Sequence, residues 1–241
     1  SNECFAGKNP RALHETCVVP AYSWVASYLM MITGDASWGD KIERCIFNAG
    51  IGSVTKDYKS VQYYSGPNQV IVNRKSSHNH QAGPERMQYR PGHQTQCCPG
   101  SVHSFMPNYV SRMWLKDPNG GLVAATYGPS TVTANVGSDN QEVTIVQRTD
   151  YPFSEQIEFE VQCDQPAQLP LWMRIPGWCQ EASLTVNDEA IVMDNQPGTF
   201  FKLDREFAAG DKVVLNVPMK PKLSFWQEGG LAVSYTHLTL P

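Results

Sequence analysis

Two short clusters of residues that can bind metals or act as nucleophiles lie about eighty positions apart in this 241-residue chain. The first is His14-Glu15-Thr16-Cys17, and the second is Cys97-Cys98-Pro99-Gly100. Each cluster precedes a segment with helical periodicity, and a helix N-terminus favours carboxylates and thiolates. Pro20 and Pro99 favour an extended backbone just before them, which would place Glu15 and Cys17 on one face. Both clusters therefore suit metal ligands or a nucleophile.

The donor types in these clusters match a tetrahedral zinc site, because thiolates favour zinc over magnesium or calcium. The ligands would be one carboxylate and three sulfurs, from Glu15, Cys17, Cys97 and Cys98. The spacing is not that of a zinc finger, so two alternatives stay open: the adjacent cysteines are merely buried, or they form a strained vicinal disulfide. His78 and His80 are a rival metal pair, although loop histidines are more often hydrogen-bonded or solvated.

The composition is that of an ordinary globular chain. Charged residues make up 17%, and a net charge of -4 with 19 Lys and Arg leaves no basic stripe for phosphate backbones. The longest apolar run is far shorter than the ~20 residues that cross a bilayer. Seven cysteines are an odd number in a chain too large to depend on disulfides. We expect no nucleic-acid partner and no membrane span, and the oligomeric state stays unknown.

The first half of the chain is predicted to be helical. Apolar residues recur at helical spacing over 21–32, 38–49 and 102–114, which predicts three helices. Gly34 should end the first helix, and Asp35 should cap the second. Pro107 falls inside the third and should kink it by removing one hydrogen bond.

The second half is predicted to be all-β. A strong turn signal over 117–121 marks a domain boundary, and the apolar period then changes to two. The candidate strands after it are Leu122–Tyr127, Glu142–Arg148, Gln156–Cys163, Leu171–Ile175, Ser183–Val186, Thr199–Leu203 and Lys212–Val217. Short strands at this spacing are typical of a β-sandwich. Before the boundary, a long polar segment over 58–98, of a kind that is often functional, holds strand-like pieces at Ser60–Tyr64 and Gln69–Asn73.

Several of these motifs, in this order and separation, resemble those of glycoside hydrolase family 127, whose founding activity is β-L-arabinofuranosidase, and of the related family 146. They are His14–Cys17, Thr33–Asp35, Ile42–Asn48, Cys97–Gly100, Thr149–Phe153, Arg174–Trp178 and Gly210–Pro218. The resemblance implies an α+β multidomain chain: the C-terminal portion of an (α/α)6-barrel catalytic domain over 1–118, a β-sandwich over 119–235, and an unrelated or truncated tail over 236–241.

The resemblance also implies a mechanism. A retaining glycosidase of this family removes terminal β-L-arabinofuranosyl or related groups from a glycan through a cysteine nucleophile, which here would be Cys97. Zn²⁺ would be bound by the ligand set named above, namely Glu15, Cys17, Cys97 and Cys98. Glu3 occupies the place of the general acid and base, although its separation from Glu15 is short. The chain opens with neither Met nor a signal peptide, so we expect a missing N-terminus and leave the compartment open between bacterial cytoplasm and periplasm.

Three helices are far fewer than the dozen of such a barrel, so we expect this segment alone to be inactive. Pro99-Gly100-Ser101 also departs from the family's commoner residues after the cysteine pair. One alternative function is a zinc-stabilised, non-catalytic module that binds carbohydrate or aids assembly. A zinc-water hydrolase ranks last, because four protein ligands leave no open coordination position.

Overall fold

The computed structural model of the chain describes residues 13–66, 69, 71–73, 75, 83–194, 196–220, 223–225 and 232–234, and these form a mixed α+β structure. The helices are α1 Val18–Thr33, α2 Ser37–Arg44, a π-helical turn Cys45–Gly50, α3 Gly83–Arg86 and α4 Cys97–Val110. The strands are β1 His14–Glu15, β2 Val61–Gln62, β3 Tyr64–Ser65, β4 Tyr89–Arg90, β5 Trp114–Lys116, β6 Leu122–Ala124, β7 Ser130–Val136, β8 Gln141–Arg148, β9 Gln156–Cys163, β10 Ala167–Ile175, β11 Ser183–Val186, β12 Glu189–Ile191, β13 Thr199–Phe207, β14 Lys212–Asn216, β15 Leu223–Phe225 and β16 Ala232–Ser234. None of the helices in these ranges is long and apolar enough to cross a lipid bilayer.

The described residues fall into two compact units. One contains the described residues within 13–26, 41–109 and 221–236, and the other contains those within 27–40 and 110–220. The first unit contains α4 and two small antiparallel pairs, in which β1 pairs with β3 and β2 pairs with β4. Helices of this unit approach closely at Gly50, where an added Cβ would lie 3.3 Å from Val19 and 3.5 Å from Phe105.

The predicted boundary between the first two helices is confirmed. Gly34 has a φ of +66°, a left-handed conformation that glycine adopts without strain, and its N–H bonds to the Met30 carbonyl at 2.9 Å. The Asp35 carboxylate accepts the N–H of Ser37 at 2.9 Å, which caps α2. The predicted second helix continues beyond α2 as the π-helical turn.

The third helix begins and ends earlier than the sequence predicts. α4 starts at Cys97, and Gly100 N donates to the Gln96 carbonyl at 2.8 Å, so the extended backbone predicted for Cys98 is wrong. Pro99 is tolerated there because N–H groups in a first helical turn have no partner within the helix. Pro107 lies inside α4 as predicted, but Trp114 belongs to β5.

The second unit contains two sheets, with strand orders β13-β10-β6-β5 and β12-β11-β14-β9-β8-β7. All seven candidate strands are present, with ends shifted by a few residues. Alternate side chains are buried along β8 and β9, and Trp114 meets Phe159 edge-to-face at 5.8 Å between ring centroids, so side chains of the two sheets touch. Three strands of this unit were not predicted: β5, and the two edge strands of the six-stranded sheet, β7 and β12. In the first unit, the described residues of Gln69–Asn73 form no strand, contrary to the prediction.

A buried ion pair joins α2 to the four-stranded sheet within the second unit. Arg174 on β10 is fully buried, and its Nη1 lies 2.5 Å from Oδ1 of Asp40. The guanidinium also donates to the Ala125 carbonyl at 2.7 Å and lies over the Tyr127 ring at 5.6 Å. The other oxygen of Asp40 accepts the N–H of Gly177 at 2.8 Å. The Asp40 carboxylate therefore compensates the charge of Arg174, and the Ala125 carbonyl accepts one of its N–H groups.

The same ion pair requires glycine at position 39, because the Arg174 side chain fills the space that a Cβ would occupy. A Cβ at this position would lie 2.5 Å from both Cδ and Nε of Arg174. Because the arginine has bonded partners in place, it cannot swing away without breaking them.

We expect Asp40→Ala to destabilise the chain by about 3 kcal/mol, since removing one partner leaves a buried, uncompensated charge. Arg148→Ala is the matched control: Arg148 also pairs with two carboxylates, Glu158 at 3.3 Å and Glu160 at 2.6 Å, but on an exposed sheet surface. Urea unfolding monitored by circular dichroism measures both. Equal losses from the two variants would contradict a special role for the buried pair.

Candidate metal centre

The His14–Cys17 and Cys97–Gly100 clusters meet in the first unit. The first of them is positioned by the pairing of β1 with β3. Glu15 lies directly opposite Tyr64 in this antiparallel pair, and His14 lies opposite Ser65. The chain then turns at Thr16 and Cys17 into α1. The Thr16 N–H donates to the Tyr63 carbonyl at 3.1 Å, which fixes this turn against the polar segment.

The second cluster is fixed to the same residue. Cys98 begins α4 together with Cys97, and its sulfur lies 3.6 Å from the Tyr63 carbonyl oxygen. Cys98 is fully buried in a small apolar cluster with Leu13, Tyr64 and Met87, against which Cys17 packs. The starts of α1 and α4 are therefore held side by side.

Four ligand atoms converge at this point. One atom each from Glu15, Cys17, Cys97 and Cys98 lies within 4.8 Å of all the others. Ligands of a tetrahedral zinc ion with metal–sulfur bonds of about 2.3 Å would be ~3.5–3.8 Å apart. A shift of about 1 Å or less in side-chain position would bring the four atoms to that separation.

The chemistry of the donors fits a metal ion such as zinc. The Cys17 thiol donates to Glu15 Oε2 at 3.3 Å, so this sulfur and this oxygen are close enough to bind one ion. Burial and the neighbouring Cys98 raise the pKa of Cys17, and burial raises the pKa of Cys98 to about 11. Crowded thiols resist ionisation because their thiolates repel one another, and a bound cation reverses this repulsion.

Tyr63 and Tyr64 also contact the ligand cluster, although no motif in the sequence pointed to them. The Tyr63 hydroxyl lies 2.8 Å from Cys97 Sγ, and the Tyr64 hydroxyl donates to Glu15 Oε1 at 3.0 Å. The available signal was their position in the polar segment over 58–98, which was expected to be functional. The segment alone does not reveal which of its many polar residues face the cysteines.

The predicted site residues have different outcomes. The four predicted ligands come together, and Cys97 and Cys98 are free thiols rather than a vicinal disulfide. His14 stays outside the cluster, and its Nε2 lies 2.7 Å from Ser65 Oγ. Glu3, the predicted acid, and the rival pair His78 and His80 lie outside the residues that the structure describes.

Comparisons with known proteins give the class and then the family. The structure aligns with a protein described as a glycoside hydrolase at a TM-score of 0.75 and 24% identity, over 90% of this chain and 35% of that one. It also aligns with a GH127 β-L-arabinofuranosidase from Geobacillus stearothermophilus T6 at a TM-score of 0.79 and 23% identity, over 91% of this chain and 34% of that one. The fold is therefore one found in glycoside hydrolases.

The sequence comparisons are more specific. Residues 5–111 match the model of the β-L-arabinofuranosidase GH127 catalytic domain, and residues 121–219 match that of the GH127 middle domain. A non-reducing end β-L-arabinofuranosidase of Bifidobacterium longum is 22% identical over 215 residues, which are 88% of this chain and 31% of that protein. The chain belongs to glycoside hydrolase family 127, and it spans about a third of the length of these relatives.

Thiol alkylation tests the exposure and the metal binding of the cluster. In the metal-free chain at pH 8, we expect iodoacetamide to modify Cys97 first, because its side chain is exposed whereas Cys98 is buried. Cys45 should react slowly, since burial raises its pKa to about 12 and leaves roughly one thiol in 10⁴ ionised. Zinc should slow the reaction at Cys97 without changing that at Cys45. Peptide mass spectrometry measures each rate, and equal protection of both sites would argue against a local metal centre.

Proposed function

We propose that this chain carries the cysteine and metal half of the active site of a retaining glycoside hydrolase. The substrate is a glycan with terminal β-L-arabinofuranosyl or related residues, and the bound metal is zinc. The observation that carries the proposal is the convergence of one carboxylate and three sulfurs, from segments about eighty residues apart, within 4.8 Å. Membership of family 127 supplies the reaction class and the sugar.

Exposure favours Cys97 as the nucleophile. Cys98 is fully buried and Cys17 is half-buried, whereas Cys97 is exposed at the start of α4. A nucleophile must come within about 3–3.5 Å of the carbon it attacks, which a buried sulfur cannot do. Cys98 and Cys17 therefore serve as ligands only, and Cys97 serves as both ligand and nucleophile.

The reaction proceeds in two displacements. The Cys97 sulfur attacks the anomeric carbon as the bond to the leaving oxygen breaks, and a general acid protonates that oxygen. Water, deprotonated by the same residue, then attacks the anomeric carbon and releases Cys97, so the configuration is retained. We assign the acid and base to Glu3 from its place in the family motif. Zinc, when bound, supplies the positive charge that keeps the sulfurs deprotonated.

Four protein ligands favour this assignment over a zinc-water hydrolase, because a fourfold protein site has no position left for an activated water. The glycosidase instead uses one of the ligands as its reactive group. A purely structural site does not require an exposed sulfur, whereas a nucleophile must be accessible to the sugar, as Cys97 is.

We also propose the finer architecture. Residues 1–118 are the C-terminal portion of an (α/α)6 barrel, and residues 119–235 are a β-sandwich. The edge-to-face contact of Trp114 and Phe159, which come from different sheets of the second unit, supports the sandwich. The predicted tail over 236–241 lies outside the residues that the structure describes.

In the full-length protein, we expect Cys97→Ser to lower kcat on an aryl β-L-arabinofuranoside by roughly 10³-fold or more, as for other nucleophile substitutions. Zinc content should stay at half or more of the unsubstituted value, because three ligands remain. A colorimetric turnover assay and metal analysis measure the two effects. In the unsubstituted protein, proton NMR of the first product should show that the anomeric configuration is retained.

Cys45→Ser is the control, because Cys45 lies outside the ligand cluster and its thiol donates to the Val19 carbonyl at 3.6 Å. It should leave kcat unchanged. If Cys97→Ser kept full turnover and lowered only thermal stability, the alternative of a non-catalytic, zinc-stabilised module would replace the glycosidase.

A further inference from the structure

Tyr63 and Tyr64 are neighbours in sequence, yet their hydroxyls reach two different members of the ligand cluster. Tyr63 Oη lies 2.8 Å from Cys97 Sγ, and Tyr64 Oη donates to Glu15 Oε1 at 3.0 Å. We propose that these two tyrosines are positioning residues of the site: Tyr63 sets the direction and electron density of the Cys97 sulfur, and Tyr64 sets which carboxylate oxygen of Glu15 faces the metal. This inference rests on the proposed function.

The backbone around Tyr63 makes this arrangement possible. Successive side chains of a regular strand point to opposite faces, so adjacent residues would not reach one site. Here the strand is interrupted at Tyr63: β2 pairs with β4 before it, and β3 pairs with β1 after it. The two rings end up 5.0 Å apart between centroids, tilted by 58°. The change of pairing partner brings both hydroxyls to the same cluster.

The Tyr63 ring has little freedom to move. It is 5% exposed, and it contacts the His93 ring edge-to-face at 5.6 Å and the Arg86 guanidinium at 5.5 Å. The His93 ring is itself fixed by a 2.8 Å contact between Nε2 and the Val61 carbonyl. The hydroxyl oxygen therefore has a fixed position from which to bond sulfur.

This fixed hydroxyl has a defined effect on the nucleophile. A thiolate can only accept a hydrogen bond, so the Tyr63 O–H must donate to Cys97 in the ionised site. The bond occupies one sulfur lone pair and withdraws electron density from it, as hydrogen bonds to metal-bound sulfur do. The remaining lone pairs would be available to a bound metal and to a sugar that approaches from the exposed side of Cys97.

Tyr64 acts on the other kind of ligand. Its bond occupies Glu15 Oε1, whereas Glu15 Oε2 faces the cluster, 3.3 Å from Cys17 Sγ. The two oxygens of one carboxylate are thereby given different roles, which favours a ligand bound through one oxygen. Such outer partners orient metal ligands, and their loss costs roughly 10–100-fold in metal affinity or activity.

Tyr64→Phe tests the second role. We expect the dissociation constant for zinc, measured by competition with a chromophoric chelator, to rise about 10–100-fold. The fold should persist, because phenylalanine fills the same volume and keeps the ring contacts. Near-ultraviolet circular dichroism checks this, so a weak metal site and a collapsed chain give different results.

Tyr63→Phe tests the first role with different readouts. In the cobalt-substituted chain, loss of the hydrogen bond should move the sulfur-to-cobalt charge-transfer band to longer wavelength, because the Cys97 sulfur becomes richer in electrons. In the zinc-loaded chain, alkylation of Cys97 by iodoacetamide should become about tenfold faster. This change in rate corresponds to the free energy of one hydrogen bond to a charged group. A tyrosine that served only in packing would change neither.

Tyr89→Phe is the matched control, since the Tyr89 hydroxyl donates to the Gly52 carbonyl at 2.7 Å and Tyr89 is not part of the ligand cluster. It should leave zinc affinity, the cobalt band and Cys97 alkylation unchanged. If the unsubstituted chain binds zinc but Tyr63→Phe and Tyr64→Phe behave as Tyr89→Phe does, the positioning roles are wrong. If the unsubstituted chain binds no zinc, the proposed metal site fails and this inference fails with it.

Discussion

The main-chain carbonyl of Tyr63 is the point on which the candidate site depends. It accepts the Thr16 N–H from the start of α1 at 3.1 Å and faces the Cys98 sulfur at the start of α4 at 3.6 Å. The Tyr63 N–H bonds in turn to the Arg86 carbonyl at 3.0 Å. A single peptide region thus connects three distant segments. These bonds are short and directional, so they fix the position of the starts of α1 and α4 relative to each other.

The metal-free cluster is electrostatically unfavourable for thiolates. Burial and the neighbouring thiols raise the pKa of Cys17, and burial raises that of Cys98 to about 11, so both are protonated near neutral pH. Zinc binding to such a site releases protons, and its affinity therefore increases with pH. The same crowding that is costly without a cation would become ligation with a cation bound, as the proposed metal site requires.

In the second unit, the ion pair of Arg174 and Asp40 holds α2 against β10. A buried guanidinium needs a counter-charge and hydrogen-bond acceptors, and these come from α2 and from the Ala125 carbonyl. Gly39 leaves the space that the guanidinium occupies. The Arg174–Trp178 motif, one of those that resemble family 127, is therefore in part structural, since Arg174 and Gly177 contact Asp40 rather than the ligand cluster.

Local patterns in the sequence predicted α1, α2 and α4, the boundary between the first two at Gly34 and Asp35, seven strands of the second unit, and the residue types able to bind a metal. These follow from local backbone preferences and from the period of apolar residues, which neighbours along the chain decide. Long-range contacts, by contrast, place Tyr63 beside Cys97 and Tyr64 beside Glu15, and they leave Cys97 exposed while Cys98 is buried. Those facts depend on which distant strands pair and in what register, because pairing, not local preference, selects the face on which each side chain lies.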